Sequence, residues 1–396
     1  MPRNPNKINY SKGFPHNLSA FEQLQDPRSG GNTKHHFGVI IAMAFTSLLC
    51  GVSCYRLMES FCRANQSWFK KWLSLPNGTP SDDTFSRVFE SIDPEYFAQC
   101  IIRHLEATGI AIDPQQLAID GKSLRGSSNT QDNKLHAVSA WACDAGITIA
   151  QVFTEEKSNE ITAIPELLKQ LNIKDSIITI DAMGTQVAIA NAIIDGGAHY
   201  ILSAKKNQPA LFEEIHDQFL FASKSYNKNK LNVKNWGKYQ SNETSRGREE
   251  QRSVIVCNTL GWMNTDVRKR WKNLKSVIMV ERKTILENGS CRKEVAFYIS
   301  SLESPNPKEI HDYIRNHWAI ENSCHWVIDV VFREDANQVS KRNSAKNLSI
   351  MRRIVHNKLK YCPETTHTKT PDSLPMKQMV ASQDLEYREQ CLGINP

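Results

Sequence analysis

The chain has 396 residues and a mass of 45.0 kDa, with 49 Lys and Arg against 42 Asp and Glu, a net charge of +7. Its 40% hydrophobic and 23% charged residues exclude a disordered or fibrous protein and leave core enough for two or three domains. The cationic excess suits a polyanion partner without demanding one, since such binding depends on where the cations lie.

The chain starts MPRNPNKINYSKG, without an apolar leader, and none of its cysteines form a CxxC pair. The expectation is reduced thiols in the cytoplasm and no zinc site. The longest apolar run, VIIAMAFTSLLCGVSCY, has an unbroken part shorter than the roughly 20 residues needed to span a bilayer. It predicts a buried helix and no membrane partner. Helices are expected over about 36–62, 64–74 and 81–105, the last capped by Ser81 with Asp82 and Asp83 in its first turn. Residues 1–110 thus form an N-terminal helical domain, a candidate for DNA contact or for plain packing.

From about 115 the pattern turns to mixed α/β. QLAID is a strand ending at Asp120; LHAVSAWAC and ITIAQVF are two more, joined by a DAG turn. The helix NEITAIPELLKQL, the strand SIITI before Asp181, the helix TQVAIANAII, the strand AHYILSA and the helix PALFEEIHDQFLFA follow. Residues 111–224 therefore read as the first part of a mixed sheet with helices on its faces. Residues 225–303 read as a β-rich insertion. Residues 304–361 carry a long helix from near Pro307 and then a basic stretch, and 362–396 a tail expected to be extended.

Asp120 and Asp181 fall at the ends of strands that can be neighbours, at the edge where open α/β sheets place their chemistry. Close carboxylates repel, and a divalent cation removes that penalty. On the late helix His317, Trp318, Glu321 and His325 share one side, which makes Glu321 the best third acid, with Glu334 and Asp335 as competitors. Plainer readings stand beside these: Asp181 as a helix cap, Glu321 in a surface ion pair, His317 and His325 as satisfied core histidines. Lys122, Arg125, Lys205 and Lys206 are candidate phosphate contacts or solvated surface. KRNSAKNLSIMRRIVHNKLK (341–360) has seven Lys or Arg and no acid, and predicts a helix with a basic face, including Arg352 and Arg353, against DNA. Trp271, in DVRKRWKNLK, is either a core anchor or a base-stacking surface.

The stretches DPRSGGNTKHHF, TPSDDTFSRVF, LAIDGKSLRGS, KSNEITAIPELL, ITIDAMGTQ, YILSAKKNQPAL and IRNHWAIENSCHWVIDVVFREDANQ occur in this order from about residue 20 to 360. In these the chain resembles the ISAs1-type DDE transposases of the IS4-like superfamily, including H-repeat-associated proteins linked to Rhs elements. The resemblance implies a ribonuclease-H-like fold with Asp120, Asp181 and Glu321 as catalytic, metal-binding acids. It implies two Mg²⁺ ions, with Mn²⁺ as a substitute, double-stranded DNA as partner, and at least a homodimer on that DNA. Cleavage of element ends and joining of 3′-hydroxyls to target DNA in the bacterial cytoplasm, near the nucleoid, is the implied function. A nuclease of the same fold that never joins strands, and a non-catalytic DNA-binding relic, are the alternatives. Two places depart from the broader pattern: His317 and Ile328 stand where Arg and Lys are usual. Thr185 also stands where relatives often have Cys.

Overall fold

The computed structural model describes residues 15–22, 24–28, 33–109, 115–127, 135–154, 160–226, 236–245, 247–339, 341–365 and 371–394. The start of the chain, on which the expectation about a leader falls, and residues 227–235 of the expected insertion lie outside them.

The first helix, α1 (Phe37–Leu49), is buried at every residue but Gly38. It stops where Gly51 takes a φ of 81°, a left-handed conformation that a side chain would strain. The single helix expected over 36–62 is therefore two, α1 and α2 (Tyr55–Ala64), followed by the short α3 (Gln66–Phe69). In α4 (Asp82–Ser91) the Thr84 amide donates to Ser81 Oγ at 3.3 Å, the cap the sequence announces. The helix expected over 81–105 is broken by Asp93, which caps α5 (Pro94–Ala107) by accepting from the Glu95 and Tyr96 amides. Pro94 suits that first turn, where its missing N–H is not needed.

The sheet follows in the expected order. Its first elements are β1 (Gln116–Leu124), β2 (Leu135–Ala142), β3 (Ile147–Thr154), α6 (Glu160–Lys169), β4 (Ile177–Ile180), α7 (Val187–Asp195), β5 (His199–Ala204) and α8 (Pro209–Tyr226). β1, β4 and β5 are parallel neighbours, while β2 and β3 run antiparallel. The next segment supplies β6 (Trp236–Ser245), β7 (Arg248–Cys257), α9 (Thr265–Arg270), β8 (Ser276–Leu286) and β9 (Cys291–Ser300). These strands form an antiparallel meander that joins the sheet through β9 on β5, giving the order β3-β2-β1-β4-β5-β9-β8-β7-β6. Contrary to the sequence reading, β1 does not end at Asp120. Its parallel pairing with β4 stops at Ile119–Ile180, but β2 carries it on through Lys122 to Leu124. Asp120 stands where β1 loses β4 as a neighbour, which opens a crevice at the carboxyl edge.

Across this edge runs α10 (Pro307–Ile320), continued by a π-helical turn (Glu321–His325) and α11 (Trp326–Val330). The basic stretch forms α12 (Arg342–Lys360), as expected, but not with a basic face in solvent. It packs against α1, α4, α5, β3 and α11, and residues 351–359 are all buried. Arg352 and Arg353 are 2% and 0% exposed and pair with the buried Glu334, so the expected phosphate contacts are corrected to an internal ion cluster. The tail is also corrected. It folds into α13 (Leu374–Gln383) and α14 (Leu385–Leu392), whose Arg388 is buried over the Phe61 and Trp68 rings and donates to Asn65.

One hydrophobic core runs from the N-terminal helices (Phe45, Phe89) through the sheet (Ile119, Leu202) to α12 (Met351) and α14 (Leu392). The N-terminal helices thus share their core with the sheet. No helix among the described residues is long and apolar enough to cross a membrane. Two histidines in this core are held neutral. Burial pushes His104 down to about 3 and His356 down to about 4. Both values lie below the unfolded one, so the stability they contribute is present above pH 6.5 and is lost as the pH falls toward 4 and 3. Melting temperature should drop from pH 7 to pH 5, with each histidine accounting for up to about 2 kcal/mol. His104→Gln should flatten that dependence, and an unchanged pH profile would show that His104 is already solvated.

Candidate active site

Ile119 pairs with Ile180, so Asp120 and Asp181 follow in register on adjacent parallel strands. Both line a cavity of about 110 Å³ together with Lys205, His317, Trp318 and Glu321. The helix above is fastened to the strands through Thr179, whose Oγ1 lies 3.1 Å from His317 Nδ1 and accepts from Gln116 Nε2 at 3.3 Å. Gln116 Nε2 also donates to the Tyr313 carbonyl at 2.7 Å.

The tightest grouping holds three side chains. Single ligand atoms of Asp120, Glu321 and His325 all lie within 4.8 Å of one another. His325 Nδ1 is 3.5 Å from Asp120 Oδ2 and 3.6 Å from Glu321 Oε2. The π turn carries both helix members, a backbone form that recurs at functional sites. Asp181 forms the cavity wall with one oxygen committed: its Oδ1 accepts from the Met183 and Gly184 amides of its own loop at 3.0 and 3.2 Å, and the next helix has Gln186, not Asp181, as its N-cap. Thr185 secures that loop by donating to the Ser203 and Asp181 carbonyls at 2.7 and 3.1 Å.

Environment splits the two facing carboxyls. Burial, with Glu321 and Asp181 nearby and with His325 and the Gly121 amide opposing, pushes Asp120 up to about 7. The hydrogen bond from His325 holds Glu321 below its ordinary value against partial burial. Burial pushes His317 down to about 4, so it brings no charge to the cavity. Ile328 is 0% exposed core. A divalent cation fits this set. The carboxylates are hard oxygen donors, and a positive ion among them would relieve the burial and repulsion that lift Asp120. The imidazole of His325 adds a donor better suited to Mn²⁺ than to Mg²⁺.

The remaining candidates separate. Lys205 and Lys206 are exposed at the end of β5, with Lys205 on the cavity. Arg125 is 76% exposed, 3.6 Å from Asp335. Lys122 is corrected: it is buried, with Nζ 2.6 Å from Asp329, 3.2 Å from Glu334 and 3.1 Å from Asp335, and has no open side for a phosphate. Its burial lowers the ammonium pKa, but Glu334 and Asp329 more than offset this. The same cluster removes Glu334 and Asp335 from competition with Glu321. Burial alone would raise Glu334, yet Arg353, Lys122 and Arg352 hold it well below the carboxylate range. Trp271 is 4% exposed and belongs to the core.

The pattern of the family described as Transposase DDE domain matches residues 108–358, and DDE_Tnp_1-associated matches residues 18–105. The chain belongs to the DDE transposase family. It is 35% identical over 351 residues to "Putative transposase YncI" of Escherichia coli O157:H7, covering 88% of each chain. It is 34% identical to "H repeat-associated putative transposase YhhI" of Escherichia coli K12, over 84% of this chain and 87% of that one. A piggyBac transposase, solved as a synaptic complex with hairpin DNA, shares 10% identity at a TM-score of 0.38, covering 96% of this chain and 81% of that one. The fold is the ribonuclease-H-like one of this transposase family, with strand order β3-β2-β1-β4-β5 extended by the meander.

Sequence reasoning named every acid on the cavity wall and placed His325 on the right side of the helix. It missed Asp329 as a partner of Lys122. The signal was available, because residues 321, 325 and 329 repeat at a one-turn spacing.

Proposed function

We propose that this chain is the transposase of an insertion sequence, which cuts element-end DNA and joins the freed 3′-hydroxyl to target DNA. The observation that carries the reading is the meeting of Asp120, Glu321 and His325, with Asp181 on the same cavity, at the edge of the parallel strands. Asp120, Asp181 and Glu321 would hold two Mg²⁺ ions, with Mn²⁺ accepted instead. Bound metal supplies activation of the attacking oxygen and stabilisation of charge at phosphorus.

The chain's own groups orient the reactants. Glu321, half exposed, stays ionised beside the partly buried Asp120, and His325 Nδ1 holds both carboxyls in place. Lys205 offers a cation at the rim for the phosphoryl oxygens. In the first step a water oxygen attacks phosphorus and the bond to the 3′-oxygen breaks, leaving a 5′-phosphate and a 3′-hydroxyl that has taken the proton; in the second that 3′-hydroxyl attacks a target phosphorus, and the target strand's own 3′-oxygen leaves and takes the proton. Beside the cavity lies a cleft of about 670 Å³ that shares Tyr298, Trp318 and Glu321 with it. Its Arg252, Arg282 and Arg315 are paired with Glu243, Glu250 and Glu294, and the half-exposed face of Trp318 suits an unstacked base. Two ends must be paired, so the active form is a dimer or larger on DNA, in the bacterial cytoplasm.

Gel separation of nicked, cleaved and joined DNA in Mg²⁺, from an element-end duplex and a target plasmid, tests this. Joined product is the expected result. Cleavage without joining would make the protein a nuclease, and binding with neither would make it a relic.

A further inference from the structure

The buried cation nearest the acids is not used by the chemistry above. Lys122 follows Asp120 by two residues on β1, and strand alternation puts both side chains on one face of the sheet. Over that face the helix presents Glu321, His325 and Asp329 at four-residue steps. The two spacings agree, since two strand residues and four helical residues each advance about 6–7 Å. His325 Nδ1 accordingly meets Asp120 at 3.5 Å while Asp329 Oδ1 meets Lys122 Nζ at 2.6 Å. Glu334 and Asp335, from the chain just beyond α11, close on the same ammonium at 3.2 and 3.1 Å. Arg353 of α12 holds Glu334 from behind at 3.0 Å. The turn after β1 is packed onto this segment: a Cβ at Gly126 would collide with the Asn337 carbonyl, and the Arg125 amide donates to Asp335 at 3.4 Å.

We propose that Lys122 is a positioning residue: clasped by Asp329, Glu334 and Asp335, it sets the register of the catalytic helix on β1 and so holds Glu321 and His325 at Asp120. This rests on the reading of that group as the metal-binding centre. Lys122 itself touches neither metal nor DNA. Without it three acids lose their shared cation, and the helix is free to shift along the strand. Groups that orient metal ligands from behind typically change metal affinity or activity by roughly tenfold to a hundredfold when removed.

The test uses the full-length protein and Mn²⁺ alone as probe, titrated by calorimetry and by the electron paramagnetic resonance of free Mn²⁺. Melting temperature and the separate kcat and KM for element-end DNA are measured on the same preparations. Lys122→Met should lose roughly tenfold or more in Mn²⁺ affinity and in kcat, with KM for DNA unchanged. Lys122→Arg, which keeps the charge, should recover part of both. Lys377→Met is the control: this lysine is 2% exposed and bound to Cys362 and Glu364, far along the chain in α13, so melting should fall while Mn²⁺ affinity stays. If Lys122→Met does not fold, Asp329→Asn decides by the same criteria. Unchanged Mn²⁺ affinity in a folded Lys122 or Asp329 variant overturns the proposal, as does a rise in KM at constant kcat, which would make Lys122 a DNA contact. If Asp120→Asn also leaves Mn²⁺ binding intact, the metal-centre reading falls instead.

Discussion

Asp120→Asn is expected to give folded protein that holds element-end DNA and neither cuts nor joins it. The substitution keeps size and most hydrogen bonding but removes the charge that a cation needs, and the lost stabilisation of several kcal/mol corresponds to about 10³-fold or more in rate. The same protein should be more stable than the wild type in metal-free buffer at pH 8. The folded carboxyl sits at about 7, above its unfolded value of 3.8. Its contribution is therefore fully present below pH 3.8 and is lost as the pH rises through 7, at a cost of up to about 4 kcal/mol once ionised. Asn escapes that cost. Adding Mn²⁺ should raise the melting temperature of the wild type and leave that of Asp120→Asn unchanged. Asp181→Asn should be as inactive as Asp120→Asn, and Glu321→Gln inactive in Mg²⁺ with a trace of cleavage in Mn²⁺. Full cleavage by Asp120→Asn would end the metal-triad reading. Joint loss of DNA binding and of thermal stability would make Asp120 a structural residue.

Arg353→Met should destabilise the protein by about 3–5 kcal/mol, because it leaves Glu334 buried beside too few cations. Arg353 is 0% exposed and donates to Glu334 at 3.0 Å and to Ser349 Oγ at 2.6 Å. The double variant Arg353→Met/Glu334→Gln should regain part of the loss, since the stranded charge is gone. Urea unfolding measures this. The salt dependence of DNA binding should keep its slope in whatever fraction is folded. A slope lowered by about one unit with stability intact would restore Arg353 as a phosphate contact.

Much of the sheet was legible because its signals are local. Apolar runs of strand length, the DAG turn and the cap at Ser81 act over a few residues; the cap at Asp93 is equally local but was read as helix interior. The acids were legible for a related reason: an apolar strand run that meets a carboxylate points to a sheet edge, even though β1 itself continues past Asp120 to Leu124. The tail shows the limit. Pro375 and Asp384 mark helix starts in α13 and α14, but neither helix has a strong apolar stripe, and what holds them is contact with distant partners, Leu48 for α13 and Asn65 and Trp68 for α14.

The cations show it more sharply. In sequence, Lys122, Arg125, Lys205, Arg352 and Arg353 are alike, each near a motif and each charged. Whether a cation meets water, phosphate or a buried carboxylate depends on what covers it, and the cover comes from elsewhere in the chain. The N-terminal helices and the segment 329–335 bury Lys122, Arg352 and Arg353, while Arg125 and Lys205 stay open. The sequence alone determined the order of elements, the family resemblance and the acids at the sheet edge, because periodicity and strand ends are properties of neighbouring residues. Only the tertiary structure decided that His325 joins Asp120 and Glu321, that Asp181 also caps its own loop, and that Lys122 faces inward. Those outcomes depend on the register of a late helix on an early strand, which packing between segments two hundred residues apart selects.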